Sequence, residues 1–124
     1  MATAVDIVYT LEQANRALPL IRKITADILR AGGEMKAMSR ETMTGDHAAR
    51  LEQRIAELKS FLQELEDLGC SFKDWDFQTG LVEFPGVWEG HPVLFSWQTE
   101  EAAVTHLRMA HEAPHQRRPL PPRD

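Results

Sequence analysis

Residues 46–69 read DHAARLEQRIAELKSFLQELEDLG and contain the most regular apolar pattern in this chain of 124 residues. The apolar side chains follow one another at alternating steps of three and four, which is the spacing of a seam along one face of an α-helix. The seam consists of Ala48, Leu51, Ile55, Leu58, Leu62 and Leu65. Asp46 is suited to cap the start of the helix, and Gly69 can adopt the left-handed conformation that ends it. The pattern predicts a long amphipathic helix whose seam is core.

A second helical pattern lies before this one and begins at Leu11. Thr10-Leu-Glu-Gln13 matches a capping box, in which the two end side chains bind each other's backbone N–H groups. Apolar residues then recur at a similar spacing, namely Leu11, Ala14, Leu18, Ile21 and Ile28. Pro19 predicts a local bend, and Gly32-Gly33 predicts a kink through which the helix continues. We expect the two helices to pack as a long antiparallel hairpin of coiled-coil type.

After Gly69 the apolar period changes from 3.6 to two, which is typical of β-strands. Two alternating runs, residues 81–84 and 93–97, flank a turn with Glu89-Gly90 at its tip and predict a β-hairpin. Residues 70–73 are a candidate edge strand, and residues 6–9 are a candidate short strand before the first helix. Thr99 is suited to cap a short final helix over residues 100–111, which Pro114 would end.

The predicted fold class is therefore α+β: a long antiparallel helical hairpin with a small antiparallel β-sheet and a short C-terminal helix. Residues 1–113 are expected to form a single domain, because no composition shift or internal repeat divides them. Residues 114–124 are rich in proline and arginine and are expected to form a mobile tail.

Composition narrows the range of partners and compartments. Acidic residues outnumber basic ones 19 to 14, which gives a net charge of -5 and argues against nucleic acid as the principal partner. No apolar run approaches the roughly 20 residues that span a bilayer, so we expect no membrane partner. The single cysteine, Cys70, cannot form an internal disulfide, which favours the reducing cytoplasm.

One motif matches a known catalytic pattern. His111-Glu-Ala-Pro-His115 has the letters of a zinc-peptidase motif, which needs both histidines on one continuous helix. Pro114 lies inside the motif and disfavours helix at the residue before it, so we interpret the match as coincidence. Cys70 has no general base nearby in the sequence. We assign no catalytic residue, expect no enzyme, and predict no cofactor.

A looser metal or ligand site could use Glu83, Glu100 and His106, if the hairpin and the final helix lie together. Glu101 and His106 are five residues apart, which separates them by about 140° on a helix, so we do not pair them. The simpler interpretation of His106 is a structural histidine whose ring meets a carboxylate at the edge of the core.

Seven of the nine aromatic residues lie between Phe72 and Trp97. We interpret most of them as core between the sheet and the helices, because small sheets bury bulky side chains efficiently. Trp88 lies close to the turn and is expected to be exposed. With Phe61 and Leu68, which lie off the helical seam, it forms the predicted interaction surface.

The order of several motifs resembles the prokaryotic domain-of-unknown-function family 2203, over nearly the whole chain to about Leu120. The most specific motifs are residues 10–19, TLEQANRALP, and residues 80–85, GLVEFP. The family is conserved but uncharacterised, so the resemblance implies a fold and no mechanism. Where relatives often carry Cys-Trp, this chain has Ser96-Trp97, so a cysteine–histidine site would be incomplete here. The polar residues that remain from the family pattern are Glu83, Trp97, Glu100, His106 and Arg117.

These observations lead to two functional hypotheses. The first is a cytoplasmic, non-enzymatic interaction module that forms a homodimer through its helical hairpin, since the predicted sheet is too small to cover every apolar helix face. The alternative is a small protein that binds a divalent metal or another ligand through a Glu/His cluster between the β-hairpin and the last helix.

Overall fold

The computed structural model describes residues 7–41 and 45–122. In chain order its elements are α1 (Leu11–Met38), α2 (Gly45–Asp67), β1 (Ser71–Phe72), β2 (Val82–Trp88), β3 (His91–Trp97), β4 (His106–Arg108), a 3₁₀ turn (Pro114–Gln116) and β5 (Arg118–Pro119). The strands form one antiparallel sheet in the order β1-β2-β3-β4-β5. The fold class is α+β, as predicted. Over residues 7–41 and 45–122, no helix combines the length and the apolar character needed to cross a bilayer.

Helix α1 begins with the predicted capping box. The Gln13 backbone N–H donates to Thr10 Oγ1 at 3.1 Å, and the Thr10 N–H donates to Gln13 Oε1 at 2.9 Å. The helix continues through Pro19 and both glycines for 28 residues. A Cβ atom at Gly32 would lie 2.2 Å from the ring of Phe77, so the glycine is what allows this ring to rest against α1.

Helix α2 ends as the sequence predicts, but it begins earlier. Gly69 has a φ of 80°, and the Cys70 N–H after it donates to Leu65 O at 3.1 Å. The helix begins at Gly45, so Asp46 lies in the first turn and is not the cap. The sequence Met43-Thr-Gly-Asp46 predicts a turn before the helix, and its first two residues, Met43 and Thr44, lie outside the described residues.

The two helices pack against each other, and residues at or next to their ends are joined by contacts at both ends of the pair. Where α1 ends, His47 Nε2 lies 2.7 Å from Met38 O. Where α2 ends, the hydroxyl of Tyr9 donates to Leu68 O at 2.5 Å. Tyr9 also forms a parallel bridge to Gly86, which is what remains of the predicted first strand within the described residues. The seam of α2 becomes core at Leu58 and Leu65.

The β2–β3 hairpin turns at Glu89-Gly90, as predicted. Both residues have a positive φ, 51° and 79°, which a two-residue hairpin turn of this kind requires. The register places Val82 opposite Trp97 and Phe84 opposite Phe95. All four side chains are completely buried, so this face of the sheet packs into the core with the helices.

The predicted final helix over residues 100–111 is wrong. Residues 98–105 form an irregular loop and residues 106–108 are strand β4, which pairs with β3. A helix would use the carbonyl of Glu101 within its own hydrogen bonds. Here the indole N–H of Trp97 donates to this oxygen at 2.8 Å and Arg22 Nη2 donates to it at 3.1 Å. These tertiary contacts outweigh the local preference for helix.

The chain beyond Pro114 also belongs in part to the domain, although the sequence places it in a tail. Strand β5 pairs with β4, with Pro119 opposite His106, and the Leu120 N–H donates to Thr105 O at 2.9 Å. Residues 109–117 connect the two strands, and we call them the strap. Arg123 and Asp124 lie outside the described residues.

Candidate functional site

The face of the sheet opposite the helices carries a row of polar residues. The register aligns Ser71, Glu83, Ser96 and His106 across four neighbouring strands. Because side chains alternate between the two faces of a strand, these four lie on the face that Phe84 and Phe95 do not share. Two of the polar residues are nonetheless buried, Glu83 and Ser96, because arginines of β4 and of the strap bind them.

Glu83 is 1% exposed and forms a bidentate ion pair with Arg108 of β4. Arg108 Nε lies 2.5 Å from one carboxylate oxygen, and Nη2 lies 2.9 Å from the other. The remaining nitrogen, Nη1, donates to backbone carbonyls of the strap, including that of Glu112. The hydrogen bonds to Glu83 raise the pKa of Arg108. The pair therefore fixes the strap to the sheet and uses both carboxylate oxygens of Glu83.

A second cluster joins the strap to the loop after β3. Arg117 Nε donates to Ser96 Oγ at 2.6 Å, and Arg117 Nη2 donates to Glu101 Oε1 at 2.5 Å. His106 Nδ1 lies 3.4 Å from the other oxygen of Glu101. Burial acts to raise the pKa of Glu101, but hydrogen bonds from Arg117 and the Gln98 N–H outweigh it, so the pKa is lowered. Glu101 thus stays ionised between two cationic or potentially cationic groups.

The three candidate metal ligands are not brought together. Glu83 is occupied by Arg108, Glu100 is exposed, and His106 faces Glu101. Glu83 and His106 are separated by strand β3, which places their backbones about 10 Å apart. Throughout residues 7–41 and 45–122, no group of three or more His, Cys, Asp or Glu side chains could hold a metal ion.

Sequence reasoning missed Glu101 and Arg108, the two partners that matter most here. The predicted helix places Glu101 and His106 on different faces, which is why the sequence does not pair them. The extended loop and β4 bring the two side chains together instead. The sequence does contain a sign of strand β4: the apolar Leu107 lies between the polar His106 and Arg108, and this alternation is typical of a short strand.

Trp97 lies at the end of β3 and is completely buried. The guanidinium of Arg22 lies 5.1 Å from the centre of its ring, and Arg22 Nη1 also donates to Thr99 O at 3.2 Å. Together with the bond from the Trp97 indole to Glu101 O, these contacts anchor the loop after β3 to helix α1.

None of the three residues predicted for an interaction surface is exposed. Trp88 is only 8% exposed, because it lies on the core face of β2 and its ring meets that of Phe95 edge to face. Phe61 and Leu68 are half-buried and pack against the core. The exposed tryptophan is Trp75, at 59%. Its position between Asp74 and Asp76 was the sequence signal for an exposed loop.

Burial of apolar side chains along the helix pair stops before the helices meet their connection, although the polar His47 is buried at the end of α1. On α1 the last buried residue is Gly32, and on α2 the apolar residues before Leu58 are not buried. We call residues 33–38 of α1 and 45–57 of α2 the distal segment. Within it, Leu51 and Ile55 are only half-buried, and neither packs against the core cluster. The distal segment therefore presents apolar side chains that the sheet does not reach.

The thiol of Cys70 is expected to be unreactive in the folded protein. Cys70 is buried, and burial raises its pKa to about 11, so the thiolate fraction at mildly alkaline pH is about one in a thousand. Native protein treated with iodoacetamide should stay unmodified by mass spectrometry, whereas protein unfolded in urea should be alkylated completely. Fast alkylation of the native protein would contradict this burial.

Comparison with known proteins identifies the family and nothing beyond it. The model of the family of uncharacterised conserved proteins known as DUF2203 matches residues 8–120. No curated protein and no solved structure matches the chain. The match includes both helices, all five strands and the strap. The chain belongs to the DUF2203 family.

Proposed function

We propose that this protein is a small, non-enzymatic interaction module that self-associates as a homodimer through its two helices. The observation that carries the proposal is the distal segment, where Leu51 and Ile55 continue the core seam of α2 but are only half-buried. A second copy would cover these side chains. Removing apolar surface from water is the main favourable contribution to such an association.

The arrangement of the helices supports a long antiparallel hairpin as the unit that dimerises. Tyr9 meets Leu68 at one end of the pair, and Met38 meets His47 at the other. In this arrangement the distal segments of two copies would form a four-helix bundle with coiled-coil packing along the α2 seam.

Charged residues of the distal segment supply a polar rim for this interface. Arg54 Nε lies 3.6 Å from Glu34 Oε1 across the helix pair, and Arg54 Nη1 lies 2.8 Å from Glu57 Oε1 on its own helix. Such a rim favours a defined orientation over non-specific aggregation. The single, free Cys70 supports a cytoplasmic setting for the dimer, since no disulfide is needed to hold the fold.

The oligomeric state tests the proposal directly. Size-exclusion chromatography with light scattering should give the mass of two chains for the natural protein. The double variant Leu51→Glu/Ile55→Glu should give the mass of one chain, because four buried carboxylates would face one another across the interface. Circular dichroism should show that the variant keeps its helices, since both positions are already partly exposed in the monomer.

A matched variant controls for the added charge. Gln53→Glu/Ala56→Glu introduces two carboxylates at exposed positions of the same segment and should remain dimeric. The mass of one chain for the natural protein at high micromolar concentration would refute the proposal. A dimer that both double variants preserve would refute the distal segment as its interface.

A further inference from the structure

A groove runs between helix α2 and strand β1, on a different part of the molecule from the distal segment. It encloses about 510 Å³. Helix α2 contributes Lys59, Leu62 and Glu66 to its lining, and the chain from β1 onward contributes Phe72, Lys73 and Trp75. The lining therefore combines apolar side chains with charged ones.

Among residues 7–41 and 45–122, strand β1 pairs only with β2 and so forms one edge of the sheet. The Lys73 N–H donates to Leu81 O at 2.9 Å, on the side of β2. Since consecutive residues of an antiparallel strand direct their backbone groups to opposite sides, the N–H and C=O of Phe72 point to the open edge. An extended polypeptide lying in the groove could pair with them as an added strand.

The loop after β1 holds Trp75 at the rim of this groove. Asp74 Oδ2 accepts hydrogen bonds from the N–H groups of Gln78, Thr79 and Gly80 at 2.7, 2.6 and 2.9 Å. Burial acts to raise the pKa of Asp74, but these hydrogen bonds lower it, so the carboxylate stays ionised and the loop stays closed.

Two neighbouring aromatic rings also fix the orientation of the Trp75 ring. It packs edge to face on Phe72 and on Phe77, with centroids 5.5 Å and 6.2 Å apart, and Phe77 rests on Gly32 of α1. An exposed tryptophan held in one orientation is typical of the residues that dominate binding energy at protein interfaces.

The charge of the groove is opposite to that of the protein. Lys59 and Lys73 are both exposed, and neither forms an ion pair or a side-chain hydrogen bond within the described chain. The two lysines outnumber Glu66, the acid among the lining residues, in a protein whose net charge is -5. The groove thus attracts a negatively charged partner.

We propose that this groove binds an extended, acidic segment of a partner protein. The segment adds to the edge of β1 as a strand and pairs with the backbone of Phe72. A large apolar side chain of the segment lies between Leu62 and Trp75, and its acidic side chains face Lys59 and Lys73. This site uses none of the residues of the distal segment, so it does not depend on dimer formation.

Selection from a displayed library of random nine-residue peptides supplies the probe. The enriched sequences should contain acidic residues close to a large apolar residue, and a synthetic, fluorescently labelled copy should bind in anisotropy measurements. Trp75→Ala should weaken binding by about 30-fold or more, the change that accompanies loss of a dominant interface residue. Lys59→Glu/Lys73→Glu should weaken it by about tenfold or more, with a larger effect at low salt.

Two controls make the test specific. Lys23→Glu/Arg16→Glu has the same charge change at exposed positions of α1 and should leave affinity within about twofold. Methylation of the one peptide nitrogen that donates to the carbonyl of Phe72 should abolish binding, whereas methylation of the nitrogens on either side of it should not, because neighbouring N–H groups of an added strand face away from β1.

Several results would overturn the proposal. One is a selection that enriches no sequence. Another is a set of enriched peptides whose binding survives both Trp75→Ala and the lysine reversals. A third is binding that is lost in Leu51→Glu/Ile55→Glu but not in Trp75→Ala, which would place the peptide on the distal segment instead.

Discussion

Glu83→Gln is expected to lower the free energy of unfolding by about 3–5 kcal/mol, because it leaves the buried guanidinium of Arg108 without its counter-charge. Glu83 is almost completely buried, and both of its oxygens bind Arg108. Glutamine keeps the shape, but only one of its two terminal atoms can accept a hydrogen bond. Urea denaturation followed by tryptophan fluorescence measures the loss.

Two further variants separate a buried pair from an ordinary surface pair. Glu83→Leu/Arg108→Met removes both charges and should recover part of the stability lost in Glu83→Gln. The recovery should be incomplete, since Arg108 also binds the carbonyls of Met109 and Glu112 in the strap. Asp27→Asn removes one of the two carboxylate partners of the exposed Arg30 and should cost less than about 1 kcal/mol. Equal losses for Glu83→Gln and Asp27→Asn would contradict the burial of the Glu83–Arg108 pair.

The elements that sequence reasoning predicted correctly are those whose signals are local. The capping box at Thr10, the stop at Gly69 and the turn at Glu89-Gly90 each depend on a few neighbouring residues, and all three lie where expected. The regular period of the α2 seam identifies the helix correctly, but the prediction that the whole seam is core is wrong, since only Leu58 and Leu65 of its six residues are buried.

The final segment could not be predicted because its conformation is set by distant residues. The run Glu100-Glu-Ala-Ala103 favours helix locally. Its backbone is nonetheless held in a loop by Arg22 of α1 and Trp97 of β3, and Leu107 then pairs against Phe95 as a strand. The contact between Arg22 and Glu101 joins residues that are about 80 positions apart in the sequence. No local sequence pattern predicts such a contact.

The candidate site was predicted only in part for the same reason. Glu83 and His106 were identified from their residue types, and both lie on the polar face of the sheet. Their actual partners, Arg108 and Glu101, follow from the register of β4 and from the loop before it. Once the final helix is replaced by a strand, the predicted Glu/His cluster becomes two separate ion-paired clusters.

The exposure of two tryptophans is the reverse of the prediction: Trp88, expected to be exposed, is buried, and Trp75, expected to be core, is exposed. Position next to a turn does not by itself predict exposure. Trp88 directly precedes the hairpin turn, but it lies an even number of residues after Phe84 and therefore shares its core face. Trp75 belongs to a loop that Asp74 closes, and no strand alternation directs its ring inward.

Leu58→Ala is expected to lower the free energy of unfolding by about 2–5 kcal/mol, which is the cost of removing a buried leucine and leaving a cavity. Leu58 is 6% exposed and belongs to the core cluster, together with Ile21 and Ile24 of α1. Leu62→Ala is the matched comparison, one turn further along the same helix. Leu62 is half-buried and faces the α2–β1 groove, so its loss should be about 1 kcal/mol, because less apolar surface is exchanged and solvent fills the space.

Both substitutions replace leucine by alanine within one helix, so the change in helix propensity is the same and cancels in the comparison. What remains is the difference in packing between the two positions. Urea denaturation of both variants measures this difference, and peptide binding gives a second readout, since Leu62 lines the groove and Leu58 does not. Leu62→Ala should therefore weaken the selected peptide, whereas Leu58→Ala should lower stability and leave binding by the folded protein unchanged. A loss below about 0.5 kcal/mol for Leu58→Ala would mean that α2 is not packed at this position, and equal losses for both variants would mean that the groove is closed over Leu62.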